Sequence, residues 1–180
     1  MIEGSLKCGA CNATWPVRAG VPRFTTARET EHSTRTARAF GWEWKAFPGI
    51  DEHHEQQFLD WIAPSDRRTF QGAVVLEGGC GKGRHTRLAA RYGAAAVIGV
   101  DLSEAADVAF ANTKDLANAH IIQADLLKLP LKQGCCDYAF SVGVLHHLPE
   151  PSAGFTSLAS AVRPGGGLSV WVYGEESNEW

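Results

Sequence analysis

Val74-Val75-Leu76-Glu77-Gly78-Gly79-Cys80-Gly81-Lys82-Gly83-Arg84 reads as an apolar strand, a carboxylate at its tip, a glycine turn and the start of a helix. Glycine permits positive φ and lets a ligand approach without meeting a Cβ. The spacing is Glu-x-Gly-x-Gly-x-Gly, at Glu77, Gly79, Gly81 and Gly83. A dinucleotide fingerprint, Gly-x-Gly-x-x-Gly, would place glycine where Arg84 stands. A phosphate-binding P-loop would place Ser or Thr after Lys82, where Gly83 stands. By itself the loop can also be read as a tight strand-to-helix turn with no ligand.

The flanking sequence adds to it. Ala96-Val97-Ile98-Gly99-Val100 is a second buried-strand run, ending in Asp101. A carboxylate at the tip of the second strand of a βαβ unit can accept both ribose hydroxyls of a nucleoside. Ile121-Ile122-Gln123-Ala124 is a third run, ending in Asp125. Tyr138 to Val142 is a fourth, leading into Gly143-Val144-Leu145-His146-His147-Leu148-Pro149. Pro164-Gly165-Gly166-Gly167 introduces a fifth, Leu168 to Tyr173. Strands alternating with helical segments predict an α/β Rossmann-like, doubly wound, mostly parallel sheet of five strands behind an N-terminal helical lead-in.

In these stretches the chain resembles the class I S-adenosylmethionine-dependent methyltransferases. The matching residues are Glu77 to Gly83, Gly99 to Ser103, Ala124 to Leu126 with Leu129-Pro130, Asp137 to Pro149, and Arg163 to Gly167. The Leu145-His146-His147-Leu148-Pro149 and Trp171-Val172-Tyr173-Gly174 segments look most like members that act on small molecules, lipids or sugars.

The resemblance implies S-adenosylmethionine as cofactor and a small-molecule acceptor. It places Glu77, Gly78, Gly79, Cys80, Gly81, Gly83, Asp101, Leu102, Asp125, Leu126 and Val142 around the cofactor. Loop amides and the helix N-terminus would face the methionine carboxylate. Asp101 would hold the ribose, Leu102 and Leu126 the adenine, and Asp125 the adenine amino group. Glu77 would act through loop N–H groups or through water to the ammonium. His146 and His147 follow the fourth strand at the rim where the acceptor belongs. Either is a candidate base for an acceptor that must lose a proton, with His146 slightly favoured, and either could instead pack or cap the next helix. His85 and Tyr173 are further rim candidates, Tyr173 as a wall. Cys80 has no visibly placed base, and its small size is sufficient reason for its position.

A length of 180 residues predicts one domain with a small appendage: a ribbon-like segment over 1–24, a helical cap over 25–71 and a cofactor-binding domain over 72–180. A net charge of −3 gives no general attraction to nucleic acid or anionic membrane. With no apolar run long enough to span a bilayer and no signal-peptide pattern, a cytoplasmic location is expected. Five cysteines, an odd number, argue against a disulfide scaffold.

Cys8-Gly9-Ala10-Cys11 has the spacing of half a zinc knuckle. Through Phe24 the segment resembles the second half of a short zinc ribbon found before some methyltransferases. Zinc needs two further ligands. The pair is therefore a vestige, half of a site completed by a second chain, or simply two reduced thiols.

In the lead-in, Phe40, Trp42, Trp44, Phe47, Phe58 and Trp61 suit helices that pack on the sheet or cover the cofactor. Arg35, Arg38 and Lys45 are candidates for meeting an anionic substrate or for a solvated face. His53 and His54 with Glu52 and Glu55 read as a solvated turn before a metal site. Family members carry a final antiparallel hairpin beyond the fifth strand, and this sequence ends at Trp180. A homodimer through the exposed fifth-strand edge or a shared zinc site is one expected consequence. A truncated, catalytically silent cofactor-binding or interaction module is the alternative to an enzyme.

Overall fold

The computed structural model describes residues 2–25, 35–50 and 54–174, with the side chains of 35–38 outside the described set. Its centre is a parallel five-stranded sheet. The strands are β4 (Val74–Gly78), β5 (Ala96–Asp101), β6 (Ala119–Gln123), β7 (Cys136–Val142) and β8 (Val162–Trp171). Their spatial order is β6-β5-β4-β7-β8. The order reverses at β4, so a crevice opens at the strand C-termini beside the Glu77–Gly83 loop.

Five described α-helices accompany the sheets: α1 (Arg35–Ala46), α2 (Glu55–Ile62), α3 (Arg84–Arg91), α4 (Ala105–Thr113) and α5 (Pro151–Ala161). The period of two along β4 divides the core. Val75 joins Phe58, Ile62, Phe70, Ala89, Val97 and Phe140 on the α2/α3 face. Leu76 joins Val100, Ile122, Leu126, Ala139 and Leu158 on the α5 face. Alternate strand residues point to opposite faces, so one apolar run feeds both layers.

The last strand begins earlier than the predicted 168–173, because Val162 already pairs with Cys136. The register then shifts, and Tyr138 pairs with Gly167. The glycines belong to this irregularity: a Cβ on Gly166 would lie 2.5 Å from the Asp137 carbonyl oxygen. Asp137 locks the same corner. Its carboxylate accepts from Arg163 Nε at 2.6 Å and from the Val74 amide at 2.7 Å.

The N-terminal segment forms its own antiparallel sheet, β1 (Gly4–Lys7), β2 (Thr14–Arg18) and β3 (Val21–Pro22). It docks on the β6 edge. The Phe24 amide donates to the Gln123 carbonyl at 2.8 Å, and Arg23 makes a parallel bridge to Gln123. Arg23 also pairs with Asp107 of α4 at 2.5 Å. Val21 is fully buried with Ala106, Ala109 and Ile121. No helix among the described residues is long and apolar enough to cross a membrane.

Candidate active site

The C-terminal ends of all five parallel strands meet at a cavity of about 380 Å³, with Trp171 at the end of β8. Gly79, Cys80 and Gly81 line it after β4; Asp101, Leu102 and Ser103 after β5; Asp125 and Leu126 after β6; Val142 to Val144 after β7. Residues far apart in sequence converge because parallel strands present their C-terminal ends at one rim.

Asp101 joins two of these elements. Its Oδ2 accepts the Gly81 amide at 2.8 Å, while Oδ1 accepts from the Ser103 amide at 2.8 Å and the Ser103 hydroxyl at 2.7 Å. Burial raises its pKa above the ordinary carboxylate value, against the lowering effect of these bonds. The Asp125 carboxylate accepts the Leu127 amide at 2.9 Å and starts a short 3-10 turn, Leu126–Lys128.

Three predicted cofactor residues lie behind the cavity, outside its lining: Glu77, Gly78 and Gly83. Glu77 is only 2% exposed. Its carboxylate accepts from the Thr86 hydroxyl and lies 3.5 Å from His85 Nδ1, so it secures helix α3 and does not hold the loop N–H groups. Gly83 has φ +80, and a Cβ there would lie 3.0 Å from Ala109 Cα. It is the contact between α3 and α4.

The loop amides also differ from expectation. Those of Gly79 and Cys80 donate to the Val100 carbonyl, that of Gly81 to Asp101 and that of Gly83 to the Cys80 carbonyl. These donors hold the loop's own shape and are not turned toward a ligand carboxylate. The Cys80 thiol lines the cavity, and burial first, then Asp101 and Glu77, pushes its pKa well above the ordinary thiol value. That environment opposes a nucleophilic thiolate.

The histidines separate in role. His147 lines the cavity with its ring 5.2 Å from Phe40, whereas His146 lies outside the lining, 4.0 Å from His147 and 4.7 Å from Tyr173. Of the two candidate bases, His147 is therefore the one that lines the cavity. Burial lowers the pKa of both, and for His146 the neighbouring His147 adds to it. Both ring nitrogens of His146 and His147 Nε2 are buried without a hydrogen-bond partner among the described residues. His85 and Tyr173 also line the cavity, His85 stacked on Phe58 at 4.7 Å.

Further lining residues were not singled out from the sequence as site residues: Glu43, Lys82, Arg84, Ser103 and Trp171. Trp171 stands two residues before Tyr173 in the predicted 168–173 strand, and alternation at period two is a signal that could have found it. Phe40 and Trp44 of α1, with Trp61 of α2, form the cavity's cover, as the covering role for the lead-in helices anticipates. Lys82 fixes that cover, donating to the carbonyls of Phe47 at 3.2 Å and Gly49 at 2.7 Å, with its ammonium 5.0 Å from the Trp44 ring centroid. Lys45 does not face a substrate: it pairs with Glu104.

Cys8 and Cys11 sit in the turn between β1 and β2, closed by Asn12 N–H to Cys8 C=O at 3.0 Å and Cys8 N–H to Ala13 C=O at 2.8 Å. Backbone N–H groups of Cys11 and Ala10 at the Cys8 sulfur lower its pKa. No cluster of three or more His, Cys, Asp or Glu suited to a metal occurs among the described residues. Glu55 is engaged by Arg67 and Tyr92, while Glu52 and His53 lie outside the described residues, as do the side chains of Arg35 and Arg38.

The sequence profile of the methyltransferase domain family matches residues 76–170, more than half the chain. The chain belongs to the methyltransferase domain family. A tRNA U34 carboxymethyltransferase from Cellvibrio japonicus is 36% identical over 99 residues, covering 53% of this chain and 31% of that protein. A trans-aconitate 2-methyltransferase from Deinococcus radiodurans is 38% identical over 101 residues, covering 56% and 38%. The solved S-adenosylmethionine-dependent methyltransferase from Mesorhizobium loti aligns with a TM-score of 0.55 at 34% identity, covering 66% of this chain and 53% of that one. The chain spans about a third of the length of the curated relatives it matches.

S-adenosylmethionine is the cofactor of this methyltransferase family, and the cavity's donor set fits it. Asp101 and Asp125 offer carboxylates, and Leu102, Leu126 and Val142 offer apolar walls for a purine. A charge-bearing sulfonium and ammonium suit a cavity whose carboxylates are Glu43, Asp101 and Asp125.

Proposed function

We propose that this methyltransferase domain binds S-adenosylmethionine in the cavity and directs methyl transfer to a nucleophile on a small-molecule acceptor. The observation that carries it is the convergence of the Gly81 loop, Asp101 and Asp125 on one cavity with an aromatic far side. When bound, the cofactor supplies a methyl group already activated by a sulfonium leaving group. The protein therefore contributes alignment and exclusion of water.

Asp101 accepts from the ribose hydroxyls, using lone pairs left over after Gly81 and Ser103. Leu102 and Leu126 flank the adenine, and Asp125 accepts from its amino group. Trp44 and Phe40 cover the site from α1. His147, the histidine that lines the cavity, takes the proton of an acceptor that must lose one.

A second reading, transfer to a tRNA base, is favoured by the several relatives named tRNA U34 carboxymethyltransferases. The net charge of −3 favours the small-molecule reading.

Calorimetric titration with S-adenosylmethionine, S-adenosylhomocysteine and NAD tests the first step. Binding of the first two and not of NAD is expected; a folded sample that binds neither would favour the silent interaction module. Transfer of labelled methyl groups to tRNA and to a small-molecule extract then separates the two acceptor classes.

A further inference from the structure

We infer that the Cys8-Gly9-Ala10-Cys11 turn is a two-thiolate binding site for a soft monovalent cation, Cu(I), complete within one chain. The inference is independent of the proposed function, since neither cysteine lines the cofactor cavity.

The turn is shaped by its own backbone. Strands β1 and β2 hold its ends in register, with Lys7 opposite Thr14. Between them the Cys8 amide donates to the Ala13 carbonyl at 2.8 Å, and the Asn12 amide to the Cys8 carbonyl at 3.0 Å. Asn12 takes the left-handed conformation, φ 59, directly after Cys11. Asparagine enters that region more readily than most residues. The fold of the turn brings the Cys11 thiol into hydrogen-bonding contact with the Cys8 sulfur. Both cysteines are free, Cys11 exposed and Cys8 half-buried, so a cation reaches them from solvent without the chain opening.

Backbone donors complete the surroundings. The N–H groups of Ala10 and Cys11 are directed at the Cys8 sulfur. Such outer donors orient a ligating atom and stabilise its charge. The turn is closed by main-chain bonds alone, so serine in place of either cysteine leaves its shape intact.

The number of ligands selects the ion. Thiolates are soft and favour Cu(I), zinc and iron–sulfur clusters. Structural zinc takes four ligands, and iron–sulfur clusters take four as well. No group of three or more His, Cys, Asp or Glu suited to a metal occurs among the described residues. Cu(I), a filled-shell ion of single charge, is held by two thiolates without further ligands. On binding, two S–H bonds break, two Cu–S bonds form and two protons pass to water. Copper neither gains nor loses an electron.

The test titrates the full chain with Cu(I), without oxygen and under a non-thiol reductant, against the chelator bathocuproine disulfonate. One Cu(I) per chain should be withheld from the chelator, and X-ray absorption should show only sulfur neighbours. Cys8→Ser and Cys11→Ser should each lose that retention. In the unsubstituted chain, bound Cu(I) should protect Cys8 and Cys11 together from alkylation, a readout that needs no variant. Equal retention by a Cys8→Ser/Cys11→Ser protein would place the copper elsewhere and overturn the inference. One Cu(I) per two chains, or Zn(II) displacing Cu(I) into a complex of two chains, would show a site shared between chains and overturn it as well.

Discussion

The carboxylate of Asp101 accepts the backbone amide of Gly81 at 2.8 Å, tying the tip of β5 to the glycine loop after β4. One side chain thus shapes the loop and presents its remaining lone pairs to the cavity. Asp101→Ala is expected to weaken S-adenosylhomocysteine by roughly 2 kcal/mol, the scale of lost hydrogen bonds to a charged group. Calorimetry measures it, and unchanged affinity would remove Asp101 from the ribose site.

Glu77 and Thr86 form a buried pair behind the loop. Glu77→Ala leaves the Thr86 hydroxyl unpartnered in the core, and a loss of about 1–3 kcal/mol is expected in urea denaturation. Because Glu77 is outside the cavity lining, a Glu77→Gln protein that folds should keep most of its cofactor affinity.

Gly83 and Gly93 both have positive φ, but only Gly83 is crowded. Gly93→Ala carries backbone strain alone, about 1–2 kcal/mol. Gly83→Ala adds a 3.0 Å approach to Ala109 Cα and should cost distinctly more. Equal midpoints in denaturant for the two variants would contradict the α3–α4 contact.

The two histidines give a pH dependence with a definite sign. Burial lowers both folded-state pKa values, so the unfolded chain takes up protons first as pH falls. Their contribution to stability is complete above the unfolded value of about 6.5 and is lost as pH drops from there through the folded values. His146, His147 and Tyr173 form the facing titratable set. The His146→Phe protein should show a flatter melting temperature between about pH 7 and about pH 5 than the parent.

Thiol reactivity should follow position. The Cys8 thiol lies in an open turn with its pKa lowered, while Cys80 and Cys136 are buried with theirs raised, Cys136 to about 12. Mass spectrometry after brief alkylation of the folded protein should find Cys8 modified well before Cys80. Early modification of Cys80 would reopen a nucleophilic role for it.

The parallel sheet was legible because each strand is an apolar run punctuated by glycine or a carboxylate, a pattern set by local chemistry. Asp101, Asp125 and the glycine loop were legible for the same reason, since each sits at the end of such a run. The part played by Glu77 was not legible: a carboxylate at a strand tip looks alike whether it faces the cavity or the adjoining helix. Only the position of Thr86 on α3 turns it inward.

The sequence by itself determined the strand order of chemistry-bearing residues along the chain and, through it, the family. Tertiary structure decided which of two adjacent histidines reaches the cavity, which glycines serve packing in place of ligand approach, and that Trp44, Trp61 and Trp171 close one site. Those outcomes depend on contacts between segments remote in sequence. Periodicity fixes which face of its own element a residue occupies, and only packing fixes what that face meets.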